Sequence, residues 1–379
     1  MNKTIVADFG RHNCKIGYSG NEAPEFTFPS VIGTPFKSRS IIGIKDEDHY
    51  VGESAMKRRS LLSLSSPIGM SSILNWDDYE HLWHYTFYNA LEIVPEDYSV
   101  LVTEPASRTK FDRRKILQIL FETFNVKGLV FARSGALPMF TQIESDTLTI
   151  VSIGSNVEIF PIVNNKVVDN AIVESRWNSQ HVDKKLVKLI SYYDNIQMFN
   201  FYENRAIIED IKHSVCEITN FKKQEKNKLH QQMEYVLPNK RKISICDSRF
   251  KIGDFFFDPQ IGKQNIKGIH QLIIESIKKC PIHTHKTLFD NILLAGGGSL
   301  FKGLSPRLKY EIEQSLECNY NKKETQNEID SVTIKDLKNP QLLSWFGGSV
   351  FCNLNRFKRR FISKKKFQKY NEDLKIRLI

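Results

Sequence analysis

Thr4–Gly20 reads TIVADFGRHNCKIGYSG. Ile5-Val6-Ala7 is a short apolar run, Asp8-Phe9-Gly10 turns the chain, and Cys14-Lys15-Ile16-Gly17-Tyr18 resumes an alternating, extended pattern. That sequence of features spells a β-hairpin. The pattern returns at Leu148 as LTIVSIGSNVEIFPIV, with Ser152-Ile153-Gly154 standing where the first copy has Asp8-Phe9-Gly10. Glycine in such a turn leaves backbone N–H groups pointing into one concave space, which suits phosphate oxygens. Either hairpin alone says little, because D-x-G turns occur in any β protein. As a pair facing each other, they would clasp a polyphosphate between two similar halves.

The chain has 379 residues, enough for two domains that each bury a core. With 41% hydrophobic and 26% charged residues it has the composition of a soluble globular protein. No apolar run is long enough to span a bilayer, and the N-terminal MNKTIVADFG enters a strand directly, so no signal peptide is expected. Cys14, Cys216, Cys246, Cys280, Cys318 and Cys352 are scattered without a C-x-x-C pair, a distribution that fits reduced thiols rather than a zinc site. The net charge is +11 and the isoelectric point near 9.2. Much of the excess lies in Arg356–Lys369, RFKRRFISKKKFQK. Such a stretch could meet nucleic acid, an acidic partner or a membrane surface; the reading preferred here is a solvated amphipathic helix with its phenylalanines inward.

Between the hairpins, Trp76–Leu91 and Lys110–Phe124 carry helical apolar stripes, while Phe26–Gly33, Ser99–Thr103 and Leu129–Ala132 read as strands. His81 and His84 are spaced for a metal, but lack a third ligand and read as surface or stacking histidines. In the second half, Asn165–Ile172 reads as a return strand, His181–Tyr192 and Asn204–Asn220 as helices, Ser244–Phe250 as a strand and Ile269–Lys279 as a helix. The strand at Phe289–Ala295 then runs into Gly296-Gly297-Gly298 and a helix from near Gly303 to Cys318. Strand, glycine-rich turn and helix together let backbone approach a nucleotide closely. Leu342–Leu354 reads as a glycine-containing apolar helix that closes back toward the first half.

These stretches resemble the actin family nearly end to end. The resemblance is carried by Tyr50–Gly52, Ile73–Asn89 (ILNWDDYEHLWHYTFYN), Val102–Pro105, Gln118–Val126, Asp210–Cys216, Ala295–Gly303 (AGGGSLFKG) and Trp345–Ser349 (WFGGS). It implies an α/β, actin-like fold: two duplicated RNase H-like domains around a nucleotide cleft, each with an inserted subdomain. The expected boundaries are 1–141 with 342–379 (insertion about 30–70) and 142–341 (insertion about 178–266). The resemblance also implies ATP or ADP with Mg2+ as the ligand. The nominated contacts are Asp8, Gly10, Arg11, His12, Asn13 and Lys15 in the first hairpin and Gly154, Ser155 and Asn156 in the second. Lys212 and the run Gly296, Gly297, Gly298, Ser299, Leu300 complete the set. Asp8 would hold magnesium through water and Lys15 would touch phosphate.

The departures from the family pattern fall on the chemistry. Where actins have D-x-G-S-G, this chain has Asp8-Phe9-Gly10-Arg11-His12, so Arg11 replaces a phosphate-binding serine and His12 a close-approach glycine. Where they have D-S-G-D-G-V-T-H, Ser152, Ser155 and Ile159 replace the second metal-shell acid, the ribose-contacting acid and the histidine near the attacking water. Ser134 matches the water-positioning glutamine, His213 a glutamate beside the base, and Gln341 a lysine. The expectation is no catalytic residue and little or no ATPase activity. The loop Ser38–Asp48 keeps an apolar tip in Ile41, Ile42 and Ile44, which implies contact with a neighbouring actin or actin-related subunit. The expected role is a structural subunit of a cytoplasmic cytoskeletal complex, of filament, branching or dynactin type, with scaffold proteins as further partners and direct nucleic-acid contact not expected. The alternative is a nuclear actin-related subunit of a chromatin-remodelling complex.

Overall fold

The computed structural model describes residues 4–36, 49–141, 145–196, 205–219, 232–237, 240–259, 266–319 and 332–370. It divides into one unit of Met1–Ile143 with Leu342–Ile379 and a second of Glu144–Gln341.

In the first unit the strands are β1 (Thr4–Phe9), β2 (Asn13–Tyr18), β3 (Phe26–Pro29), β4 (Ile32–Pro35), β5 (Tyr50–Val51), β6 (Leu62–Ser65), β7 (Ser99–Glu104) and β8 (Gly128–Arg133). The main sheet runs β3-β2-β1-β7-β8, with Ile362–Ser363 added beyond β8. β1 and β2 pair antiparallel with Asp8 opposite Lys15; β7 lies parallel to β1, and β8 parallel to β7. Side-chain alternation sends Ile5, Ala7 and Phe9 to one face, where Trp83, Phe87 and Phe121 cover them. Val6, Leu101 and Val130 go to the other face, against Trp345 and Phe351 of the helix Leu343–Asn353. Trp345 Nε1 donates to the Val6 carbonyl (3.0 Å), tying that helix to the sheet. The small sheet β5-β4-β6 forms a separate layer.

In the second unit the strands are β9 (Leu148–Ile153), β10 (Asn156–Val163), β11 (Lys166–Val167), β12 (Val173–Asn178), β13 (Met233–Val236), β14 (Lys242–Ile245), β15 (Ile292–Ala295) and β16 (Ile334–Asp336). Its main sheet runs β11-β10-β9-β15-β16, with β12 also on β10. β9 and β10 are an antiparallel hairpin, and β15 and β16 continue from β9 in parallel. The wiring of the first sheet is therefore repeated: a hairpin, then two parallel strands added beside its first strand. The repeat legible in the sequence is a repeat of topology.

Several elements differ from their sequence reading. Trp76–Leu91 begins as an α-helix capped by Asn75, whose side chain accepts from the amides of Asp77 and Asp78, but becomes a π-helical turn at Tyr85–Ala90. Lys110–Phe124 likewise ends in a π-turn at Ile119–Thr123. Ser244–Phe250 is not one strand: β14 stops at Ile245 and a helix occupies Ser248–Asp254. The Asp194 carboxylate accepts from the Cys246 amide (2.9 Å) and from the Ser248 hydroxyl, which turns the chain there. The return strand expected over Asn165–Ile172 is only β11, followed by a 3-10 turn, and the longer pairing comes from β12. The helix expected over Asn204–Asn220 is Arg205–Ser214.

The basic stretch is not a single amphipathic helix. It comprises a 3-10 turn at Asn355–Arg360, the strand Ile362–Ser363 on β8, and a helix at Lys364–Tyr370. β8 offers an open sheet edge, and pairing with it outweighs helical continuity. Phe367 does turn inward, stacked on Phe121 at 5.3 Å. Among the described residues no helix is long and apolar enough to cross a membrane, and Cys14, Cys216, Cys246, Cys280 and Cys352 are free thiols.

Candidate functional site

Each unit contributes one assembly of nominated residues. In the first unit, Asp8 stands at the C-terminal end of β1, where an open α/β sheet places ligands. Lys15 Nζ donates to Asp8 Oδ2 at 2.9 Å, and Thr103 Oγ, from the end of β7, donates to Asp8 Oδ1 at 2.6 Å. Asp8 is nearly buried, so both carboxylate oxygens have a partner within the protein. An ammonium carries three donors, so Lys15 keeps two beyond the ion pair.

The turn itself is anchored from behind. Ser30 donates its hydroxyl to the Gly10 carbonyl (2.5 Å) and its amide to the His12 carbonyl (2.9 Å), while Ser66 Oγ donates to the Arg11 carbonyl (3.3 Å). The Gly10 amide donates to the Asn13 carbonyl at 3.1 Å. It closes the turn rather than pointing outward, which corrects the expectation that the turn glycine presents its N–H to a ligand. Gly154 behaves alike, its amide bonded to the Asn156 carbonyl at 2.9 Å.

In the second unit the β9–β10 turn and the glycine triplet meet. Gly296, which follows β15, has φ 88° and ψ 162°, a region open essentially to glycine alone. A Cβ there would lie 2.4 Å from the Ile153 carbonyl oxygen, and one on Gly298 2.3 Å from Ile153 Cγ2. Both glycines are thus required by packing against β9. Gly297 is different, since a Cβ on it would meet nothing within 4 Å. Ser299 Oγ donates to the Gly296 carbonyl (2.6 Å) and holds the turn, and Leu300 is exposed. In the β9–β10 turn, the Ser155 carbonyl accepts from the Ser179 amide (3.1 Å), and Asn156 Nδ2 donates to Glu174 Oε1 (2.5 Å).

The end of the helix Arg205–Ser214 joins the same region. Ile218 donates its amide to the Lys302 carbonyl (2.8 Å), and the His213 ring lies 6.4 Å from Phe301. Lys212 is buried and paired with Asp183 at 2.8 Å, so the lysine matched to a base contact is oriented by an acid that sequence reasoning did not nominate. The β9–β10 turn and the glycine triplet pack together through Ile153, and the helix carrying Lys212 reaches the segment that follows them through His213 and Phe301. Thr103, Ser30 and Asp183 are the residues sequence analysis missed. Their partners lie 95, 20 and 29 positions away, with no local pattern to mark them.

The substituted positions sit as follows. Ile159 is wholly buried in the core of the second unit. Ser152 is buried and lies opposite Glu158, the register position that Lys15 holds opposite Asp8 in the first hairpin. Ser134 donates its amide to the Glu104 carbonyl at 2.8 Å. Ile41, Ile42 and Ile44 lie outside the described residues. His81 stacks on His49 with centroids 3.9 Å apart, in keeping with the stacking role expected of it.

A family model for actin matches residues 1–375. The chain belongs to the actin family. It is 30% identical over 383 residues to the Dictyostelium discoideum protein described as "Putative actin-29", covering 98% of this chain and 96% of that one. The actin-like α/β fold expected from the sequence is the fold of this actin-family chain.

Proposed function

We propose that this divergent actin-related protein is a non-catalytic structural subunit of a cytoskeletal assembly, of filament, branching or dynactin type, which holds an adenine nucleotide without hydrolysing it. The observation that carries the reading is the asymmetry of the two hairpins. The glycine triplet keeps an open position at Gly297, where an added Cβ would meet nothing within 4 Å. The positions that would orient water carry Ile159, enclosed in the core, and Ser134.

Phosphoryl transfer to water needs an oriented nucleophile and donors aimed at developing charge. A sec-butyl side chain in a hydrophobic core and a short hydroxyl supply neither. Asp8, whose hairpin counterpart is Ser152, is the residue that would hold magnesium through water, on the lone pairs left beside its bonds from Lys15 and Thr103. When bound, that ion would neutralise phosphate charge. Lys15 would add its remaining donors to the phosphates, and Thr103 would keep the Asp8 carboxylate in one orientation.

The test is nucleotide content. Purified protein, denatured and chromatographed, is expected to release close to one equivalent of adenine nucleotide, with ATP surviving prolonged incubation. No released nucleotide, or complete conversion of loaded ATP to ADP, contradicts the proposal.

A further inference from the structure

Arg356–Lys369 holds eight Lys and Arg and no acid. The unit it belongs to carries 26 Lys and Arg against 18 Asp and Glu, whereas the other unit carries 28 against 25. The surplus of the first unit therefore equals the charge of this one stretch. The stretch is also held firmly. Ile362 pairs opposite Leu129 and Ser363 opposite Gly128. Phe367 stacks on Phe121, Phe361 packs beside the Trp345 cluster, and Lys364 Nζ donates to Asn125 Oδ1 at 2.5 Å.

Every apolar side chain described between Arg359 and Lys369 is thus drawn wholly or partly inward, while Arg359, Arg360, Lys365, Lys366 and Lys369 are exposed. Exposed Lys127, next to Gly128, extends the same face. Among the described residues, Arg359, Lys365 and Lys366 have no carboxylate partner. The cations project from a sheet edge and a docked helix, so their spacing is set by the fold.

We propose that this face docks an acidic segment of a partner protein, a run of Asp and Glu. The described face offers cations, the polar Ser363 and Gln368, and no exposed apolar side chain, and that chemistry separates the candidate occupants. Single-stranded nucleic acid is gripped by stacking bases on exposed aromatics, and here the described phenylalanines are spent on the core. Duplex recognition needs an element that enters a groove, and this helix has seven residues and lies docked. Stable membrane attachment takes a second, apolar signal beside a basic cluster, and the described residues of the face present none. An acidic peptide requires only closely spaced, unpaired cations, which steer a fast and salt-sensitive encounter.

The experiment measures anisotropy of a fluorescein-labelled oligo-glutamate peptide titrated with the full chain at low and at ~150 mM salt. Two variants change the net charge equally: Lys365→Glu with Lys366→Glu on the face, and Lys166→Glu with Lys188→Glu at exposed positions of the other unit. The face variant is expected to weaken peptide binding by roughly tenfold or more and the control by less than about twofold. Equal losses in both variants, or no binding by the native chain, overturn the proposal. So does tighter binding to phosphatidylserine vesicles or duplex DNA with the same dependence on Lys365 and Lys366.

Discussion

Asp8 and Lys15 were legible from sequence as the surviving acid and base of the first hairpin, and β pairing sets them directly opposite each other. The third member of the cluster was not legible, because Thr103, which donates to the other Asp8 oxygen, arrives from a strand 95 positions away. Replacing Asp8 with Asn leaves the Lys15 ammonium largely buried without its counter-charge. Urea unfolding of Asp8→Asn is expected to show a loss of about 3 kcal/mol, the lower end for breaking a buried pair, since Lys15 keeps 16% of its side chain exposed. The double change Asp8→Asn with Lys15→Met should recover most of that stability. A double variant as unstable as the single one would mean the pair is not what holds the hairpin end.

At the scale of elements, the glycine triplet separates structure from ligand. Gly296→Ala forces a Cβ against the Ile153 carbonyl in a backbone region closed to alanine, and is expected to cost about 3 kcal/mol or to prevent folding. Gly297→Ala meets open space, so its unfolding curve should shift by no more than about 0.5 kcal/mol while bound nucleotide falls. A Gly297→Ala protein with full nucleotide content would remove Gly297 from the site. Strand–glycine–helix was readable in advance because its punctuation is local. The basic stretch was misread because periodicity cannot show that Ile362 finds an open edge on β8. Ser244–Phe250 failed similarly: the turn depends on Asp194, some fifty positions upstream.

Across the whole molecule, the buried His270 and the half-buried His81 contribute to the acid response. Burial holds the pKa of His270 below its ordinary 6.5, and His81 is lowered by burial and then by the charge of His49. The unfolded chain therefore takes up these protons first, so the stability they confer is full above about pH 6.5 and is lost as pH falls toward the folded values. Thermal unfolding between pH 7 and 5 should show a falling midpoint, with a shallower fall in His270→Leu. An unchanged slope in that variant would assign the response elsewhere.

The duplicated topology was readable because both hairpins carry their pattern within one short run. The loss of hydrolytic chemistry is the central claim, and single-turnover release of labelled γ-phosphate from magnesium ATP loaded on the full chain tests it most directly. A rate at least ~10³-fold below that of actin measured alongside is expected. A rate matching actin would contradict the account.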